Sequence, residues 1–168
     1  MFGQGLSVTA IQAASVFQTI ADGGVRMAPR LVQSVEDTTG AMVPQPTAPG
    51  VRVIPAKAAE QLSQMLEGVV SVEGTAPLAK IPGYRVAGKT GTAQELSTHG
   101  ITASFIGVVP ADSPRIVVGV FVTNPRTSVY GGVVAAPVFA DVAGFTLAQL
   151  GVAPSANAAP PTLFPTKW

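Results

Sequence analysis

The tightest constraint on this chain is a pair of apolar segments separated by five residues that cannot continue a strand. Residues 103–109 and 115–124 are rich in Val, Ile and Phe, and Pro110-Ala111-Asp112-Ser113-Pro114 stands between them. Each proline lacks a ladder donor, and Asp and Ser favour turns. A connection this short suits an antiparallel hairpin, because a parallel pair needs a crossover of a dozen residues or more. Residues 84–93, after Pro82-Gly83, read as a further strand just upstream.

Helical patterns frame these strands. Thr9-Ala10-Ile11-Gln12 fits a capping box, in which Thr9 caps the helix and Gln12 reaches back. Apolar residues then recur at Ala10, Ala13, Ala14, Phe17 and Ala21, until Gly23-Gly24 supplies the stop. Residues 25–35 are β-branched with partial alternation and are expected to be extended, whereas residues 38–50 read as a Thr/Pro/Gly/Ala-rich surface loop. A second helix opens at Pro55, carries Ala58, Leu62, Met65, Leu66 and Val69 on one face, and ends at Gly74 and Pro77. A third covers residues 137–150, where Val138, Phe139, Val142, Phe145, Leu147 and Leu150 spread over much of the girth and predict a buried helix. The order predicts an α+β fold, an antiparallel sheet with helices packed on it. Residues 1–151 are assigned to this unit and the Ala/Pro-rich residues 152–168 to a disordered tail.

Charged residues are only 11% of the chain while hydrophobic ones reach 47%, which is apolar for a free-standing domain. The most apolar stretch, residues 116–122, has a strand's length and falls far short of a spanning helix. The excess apolar surface is therefore expected to face further protein. A net charge of +1 with scattered basic residues gives no basis for nucleic-acid binding. The absence of cysteine excludes disulfides, thiolate metal sites and a cysteine nucleophile. The single histidine, His99, excludes two-His metal motifs and reads as a solvated loop residue. Neither metal nor cofactor is expected. Met1-Phe2-Gly3-Gln4-Gly5 shows neither the basic stretch nor the apolar core of a signal peptide.

The chemistry-bearing stretch is Val86-Ala87-Gly88-Lys89-Thr90-Gly91-Thr92-Ala93-Gln94. Lys89, Thr90 and Thr92 supply a fixed cation and hydroxyl donors, which a substrate ending in a carboxylate needs. Gly91 removes a side chain and lets a ligand lie against the strand. Alone, the tripeptide Lys-Thr-Gly is better read as part of an ordinary exposed edge strand. The surrounding text decides: Phe2-Gly3-Gln4-Gly5-Leu6-Ser7-Val8-Thr9 precedes it, and Tyr130-Gly131-Gly132 and Ala136-Pro137-Val138-Phe139 follow in order.

Taken together, residues 1–151 closely resemble the C-terminal portion of the transpeptidase domain of class B penicillin-binding proteins, and Leu6-Ser7-Val8-Thr9 looks more like the division-specific branch than the elongation branch. The resemblance implies part of a penicillin-binding-protein/β-lactamase-like fold and a serine D,D-transpeptidase that cross-links peptidoglycan stem peptides ending in D-Ala-D-Ala. It also implies β-lactam binding, a place at the extracytoplasmic face of the bacterial membrane, and cell-division proteins as partners. Carried over, Lys89 keeps the cleft positive, the hydroxyls of Thr90 and Thr92 hold the substrate carboxylate, and the Thr92 N–H forms half of the oxyanion hole. Tyr130, Gly131 and Gly132 are expected in a cleft-edge loop, the tyrosine as an aromatic wall and the glycines for positive φ values and close approach to ligand.

One departure matters. The family nucleophile sits in Ser-x-x-Lys, and no serine of this chain has lysine three residues later. Ser155-Ala156-Asn157 matches the second family motif, Ser-x-Asn, but stands after Lys-Thr-Gly instead of upstream, so the match is accidental. The leading expectation is a part of an enzyme whose nucleophile lies in an absent N-terminal part. The alternative is a catalytically inactive ligand-binding or interaction module that keeps the carboxylate-binding strand.

Overall fold

In the computed structural model residues 6–95 and 100–156 are described. Phe2 to Gly5, His99, Asn157 and the rest of the expected tail lie outside them.

The capping box forms as the sequence dictates. Thr9 Oγ1 accepts the Gln12 N–H at 3.3 Å and Gln12 Oε1 accepts the Thr9 N–H at 2.9 Å, opening helix α1 (Ala10–Ala21). Gln18 then ties the helix to the chain that reverses behind it. Its amide donates to the Val25 carbonyl at 3.2 Å and accepts from the Met27 N–H at 3.1 Å. Strand β1 (Val25–Arg26) pairs antiparallel with β4 (Val51–Arg52), and β2 (Ser34–Glu36) with β3 (Met42–Pro44).

The β2–β3 hairpin corrects the expectation of a plain loop over residues 38–50. Asp37 Oδ1 accepts the Thr39 hydroxyl at 2.6 Å and the N–H groups of Thr39 and Ala41 at 2.8 and 3.0 Å. That turn, dominated by the Thr39 hydroxyl, also holds the Asp37 carboxyl below its ordinary pKa.

Helix α2 (Ala56–Gly68) begins after Pro55 as expected, but its buried face differs from the sequence reading. Leu62 and Met65 stay exposed, while Ala59 and Glu67 are buried. Glu67 is the reason. Its carboxylate receives Arg85 Nε at 2.8 Å and an Arg85 terminal nitrogen at 2.7 Å, a two-pronged pair that rotates this side of the helix inward. The hydrogen bond from Glu67 raises the Arg85 pKa above its ordinary value, against the opposing effect of burial.

A turn of 3-10 helix, Pro77–Ala79, leads to the main sheet. Strands β5 (Ala87–Glu95), β6 (Gly100–Val109) and β7 (Ile116–Thr123) form an antiparallel meander in the order β5-β6-β7. The hairpin expected around Pro110 and Pro114 is present, with Val109 opposite Ile116. Helix α3 (Gly131–Val134) runs into α4 (Ala136–Gln149), which lies against one face of the sheet. There Phe105 and Phe139 meet edge to face with ring centroids 4.8 Å apart, and Val109, Ala136, Ala143 and Leu147 complete a fully buried core. At the other face, Gln18 and Ala21 of α1 lie beside Val108 and Val117. The α+β architecture is the one expected.

Two further features qualify the sequence reading. Helix α4 buries only part of its girth: Val138, Val142 and Phe145 are 44%, 47% and 67% exposed and, at spacings of four and three, form one apolar stripe. Residues 152–155 of the expected tail lie along the sheet. The Tyr84 hydroxyl donates to the Val152 carbonyl at 2.7 Å and the Ser155 N–H to the Gly83 carbonyl at 2.9 Å. Ser155 Oγ accepts the Arg85 N–H at 3.1 Å and donates to Asp112 at 2.7 Å.

Two outcomes follow for stability. Glu67→Ala leaves the Arg85 guanidinium without its partner and should cost roughly 2–4 kcal/mol, a little under the range for a fully enclosed pair because Arg85 keeps partial solvent access. Urea unfolding followed by circular dichroism measures it, and an unchanged midpoint would remove the pair from the set of folding determinants. The α4 stripe should make the chain bind a hydrophobic dye. The triple replacement V138S/V142S/F145S should abolish most of that fluorescence, and dye binding that survives it would place the exposed apolar surface elsewhere.

Candidate functional site

Strand β5 stands at one edge of the meander, so one of its sides is free of a neighbouring strand. Register decides which side chains share a face. Thr90 lies opposite Phe105 and Thr92 opposite Ala103, on the face that carries α4; Lys89 lies opposite Ile106 and Gly91 opposite Ser104, on the other. Lys89 nevertheless reaches around the open edge. Its ammonium donates to the Thr90 carbonyl at 3.2 Å and to the Thr90 hydroxyl at 3.1 Å. The cation and the hydroxyl singled out in the sequence thus come together at the exposed rim of the sheet. Thr92 is fastened differently, its hydroxyl donating to the Val129 carbonyl at 3.3 Å.

The segment from Asn124 to Gly132 returns along this rim. Asn124, with a φ of 51°, closes the end of the β6–β7 ladder, accepting the Ile101 N–H on its side chain at 3.0 Å and donating its own N–H to the Ile101 carbonyl at 2.7 Å. Tyr130 precedes α3 and is 66% exposed, with its backbone carbonyl accepting from Val133 and Val134.

Gly131 and Gly132 depart from the expectation in position and in reason. They open a short helix instead of lying in a loop, and neither adopts a positive φ. What they need is space. A Cβ on Gly131 would strike the Ser104 carbonyl and crowd that of Gly91, and one on Gly132 would strike the Thr75 carbonyl. The close approach they permit is therefore to the backbone of this same protein, which seats α3 directly on β5, β6 and the segment after α2. Gly91 is held less strictly, since a Cβ there would meet Ser104 Oγ at 2.5 Å, a side-chain hydroxyl that can turn away.

Thr75 is a residue the sequence reading passed over. Its hydroxyl lies 3.3 Å from that of Thr90, and its carbonyl is the one that Gly132 approaches. The available signal was the run of small residues Gly74-Thr75-Ala76 between a helix and a proline, but nothing local links it to a strand fifteen residues on.

Other candidates fall outside this cluster. Ser155 spends its hydroxyl on Arg85 and Asp112, as described above, and lies by the β6–β7 turn. A recess of about 410 Å³ is also found there, lined by Pro110, Arg115, Leu150 and Pro154 and not by Lys89, Thr90 or Thr92. Among the described residues no group of three or more His, Cys, Asp or Glu could hold a metal ion. Among the same residues no helix is long and apolar enough to cross a membrane.

Comparison with known proteins places this geometry. The family described as the penicillin binding protein transpeptidase domain matches residues 1–144. Penicillin-binding protein PbpB of Mycobacterium tuberculosis is 37% identical over 176 residues, covering 95% of this chain and 26% of the relative. Peptidoglycan D,D-transpeptidase FtsI of Escherichia coli K12 is 35% identical over 161 residues, covering 92% of this chain and 26% of that protein. The chain thus spans about a quarter of the length of these relatives. A crystal structure of penicillin binding protein 3 from M. tuberculosis, complexed with ampicillin, superposes with a TM-score of 0.84 at 36% identity, covering 95% of this chain and 38% of that one. With the sequence motifs, the edge-strand sheet and these matches in agreement, the chain belongs to the penicillin-binding protein transpeptidase family, in its class B branch.

Proposed function

We propose that this chain supplies the Lys-Thr-Gly-Thr wall of a peptidoglycan D,D-transpeptidase active site whose nucleophilic serine lies in residues beyond this sequence. The observation that carries the proposal is the convergence of the Lys89 ammonium and the Thr90 hydroxyl, 3.1 Å apart, at the open edge of β5. A free strand edge is where an extended peptide can lie, because backbone groups on that side have no ladder partner. The donor stem peptide ends in D-Ala-D-Ala, and its terminal carboxylate finds a cation at Lys89, a hydroxyl donor at Thr90 and a second at Thr92 once that hydroxyl turns from the Val129 carbonyl.

In this reading the serine oxygen bonds to the penultimate D-Ala carbonyl, the terminal peptide bond breaks, and D-alanine leaves with the proton. A neighbouring stem amine then attacks the acyl ester, forming the cross-link and restoring the serine hydroxyl. The tetrahedral oxyanion of each step is held by the Thr92 N–H together with the nucleophile's own N–H. A β-lactam follows the first half of the path, but its broken amide stays tethered, so the ester persists. Gly91 keeps the strand flat enough for the peptide to approach, and Tyr130, exposed at the entrance to α3, offers an aromatic wall beside Gly131 and Gly132. The apolar stripe of α4 suits the remainder of the transpeptidase domain as its covering partner. The intact protein would work at the outer face of the bacterial membrane, with cell-division proteins as its partners.

The test is acylation by a fluorescent penicillin. The full-length protein should label on a serine outside this sequence, while the isolated chain should remain unlabelled, because none of its serines has the lysine base. Failure of the full-length protein to label would favour the inactive ligand-binding module, and a stable adduct on the isolated chain would show that the nucleophile is here after all.

Substitutions in the full-length protein separate the roles. Lys89→Ala removes the ammonium that meets the Thr90 hydroxyl and should slow acylation by about a hundredfold, whereas Thr92→Ala keeps the backbone N–H and should cost only about tenfold. Equal losses in stopped-flow acylation would overturn this division.

A further inference from the structure

Thr75 sits where the functional strand and the glycine-opened helix α3 meet, yet it belongs to neither. Its hydroxyl is 3.3 Å from Thr90 Oγ1, and its carbonyl lies where a Cβ on Gly132 would have to stand. The backbone that carries it is held on both sides. The Gly74 N–H donates to the Ser71 carbonyl at 3.0 Å, and the Ala76 N–H to the Val69 carbonyl at 2.9 Å. Gly74 tolerates no side chain, because a Cβ would strike the Val69 carbonyl, and Ala76 is fully buried. The hydroxyl is therefore presented from a fixed platform.

Proton counting gives this contact its meaning. A threonine hydroxyl has one hydrogen to donate and two lone pairs to accept with, whereas an ammonium can only donate. Thr90 Oγ1 accepts from Lys89 Nζ at 3.1 Å, which occupies one lone pair. If Thr90 spent its hydrogen on Thr75, it would have no donor left for a carboxylate. If Thr75 is the donor, both lone pairs of Thr90 are occupied and its O–H must turn outward to the open edge of β5.

We infer that Thr75 is a positioning residue that donates to Thr90 Oγ1 and so aims the Thr90 O–H at the substrate carboxylate. This rests on the reading of Thr90 as a carboxylate ligand. It adds a residue from outside the strand that dictates which way the ligand's hydrogen points. Thr75 does not itself touch the substrate.

The experiment measures the second-order acylation rate of the full-length protein with a fluorescent penicillin, alongside its melting temperature. Thr75→Val, which keeps the shape and removes the hydroxyl, should slow acylation about fivefold, the effect of one neutral hydrogen bond, with the melting temperature unchanged. Thr75→Ser should restore the rate to within about twofold of the parent. The double variant T75V/T90V should be no slower than Thr90→Val alone, because Thr75 acts only through Thr90. Thr75→Ala removes the same hydroxyl without adding bulk and gives the same reading should the valine variant not fold. A parental rate in Thr75→Val or Thr75→Ala, equal slowing in Thr75→Ser, or a double variant slowed by the product of the two single effects each overturns the inference. Absence of labelling in the parent protein overturns the transpeptidase reading and this inference with it, whereas a labelled parent with an indifferent Thr75 overturns the inference alone.

Discussion

The candidate site depends on two backbones touching where no side chain stands between them. Gly131 lets the first turn of α3 rest on the carbonyls of Ser104 and Gly91, and Gly132 lets it rest on the carbonyl of Thr75. With that seat in place, Thr92 meets the Val129 carbonyl and Tyr130 stands at the rim. A methyl group at either glycine would push α3 away from the strand by more than close-packed neighbours can absorb. The edge strand is thus braced from outside by a helix terminus and held from within by its ladder to β6.

Much of the fold was legible because it is local. Thr9 and Gln12 are three residues apart and announce α1 themselves. The prolines around Asp112 and Ser113 announce the hairpin that the β6–β7 ladder forms. Less legible is what a distant partner decides, or what is too short to announce itself. Glu67 reads as a solvent residue until Arg85, eighteen residues later, supplies a two-pronged partner that makes its burial tolerable. The β2–β3 hairpin was missed although Asp37 and Gly40 mark a turn, because Met42-Val43-Pro44 is too short and too proline-bound to read as a strand.

The site divides in the same way. Lys89, Thr90, Gly91 and Thr92 form a contiguous phrase, so the proposed carboxylate site could be drawn from a single stretch, and strand geometry sets successive residues on opposite faces of β5. The glycines before α4 were legible as unusual but not for the right reason, since only the packed structure shows that what they approach is Ser104 and Thr75. Thr75 carries only the faint signal of its small neighbours; a threonine after a helix is ordinary until the fold brings Thr90 to it. Part of the apolar bias of the composition lies in the stripe of Val138, Val142 and Phe145, whose spacing is that of one helix face, and part in other exposed residues such as Leu6, Leu31 and Val72.

The residues beyond α4 bear on where β5 begins. Ser155 joins the Gly83 carbonyl, the Arg85 N–H and the Asp112 carboxylate, while the Ala111 N–H donates to the Arg85 carbonyl at 2.8 Å, so the start of β5 and the β6–β7 turn are riveted together at one end. Further along, Asn124 bridges to Ile101 and the Thr92 hydroxyl donates to the Val129 carbonyl. Where β5 begins decides which of its residues stand along the open edge, so the chain past α4, remote from Lys89 and Thr90, still sets how far along the sheet those two are placed.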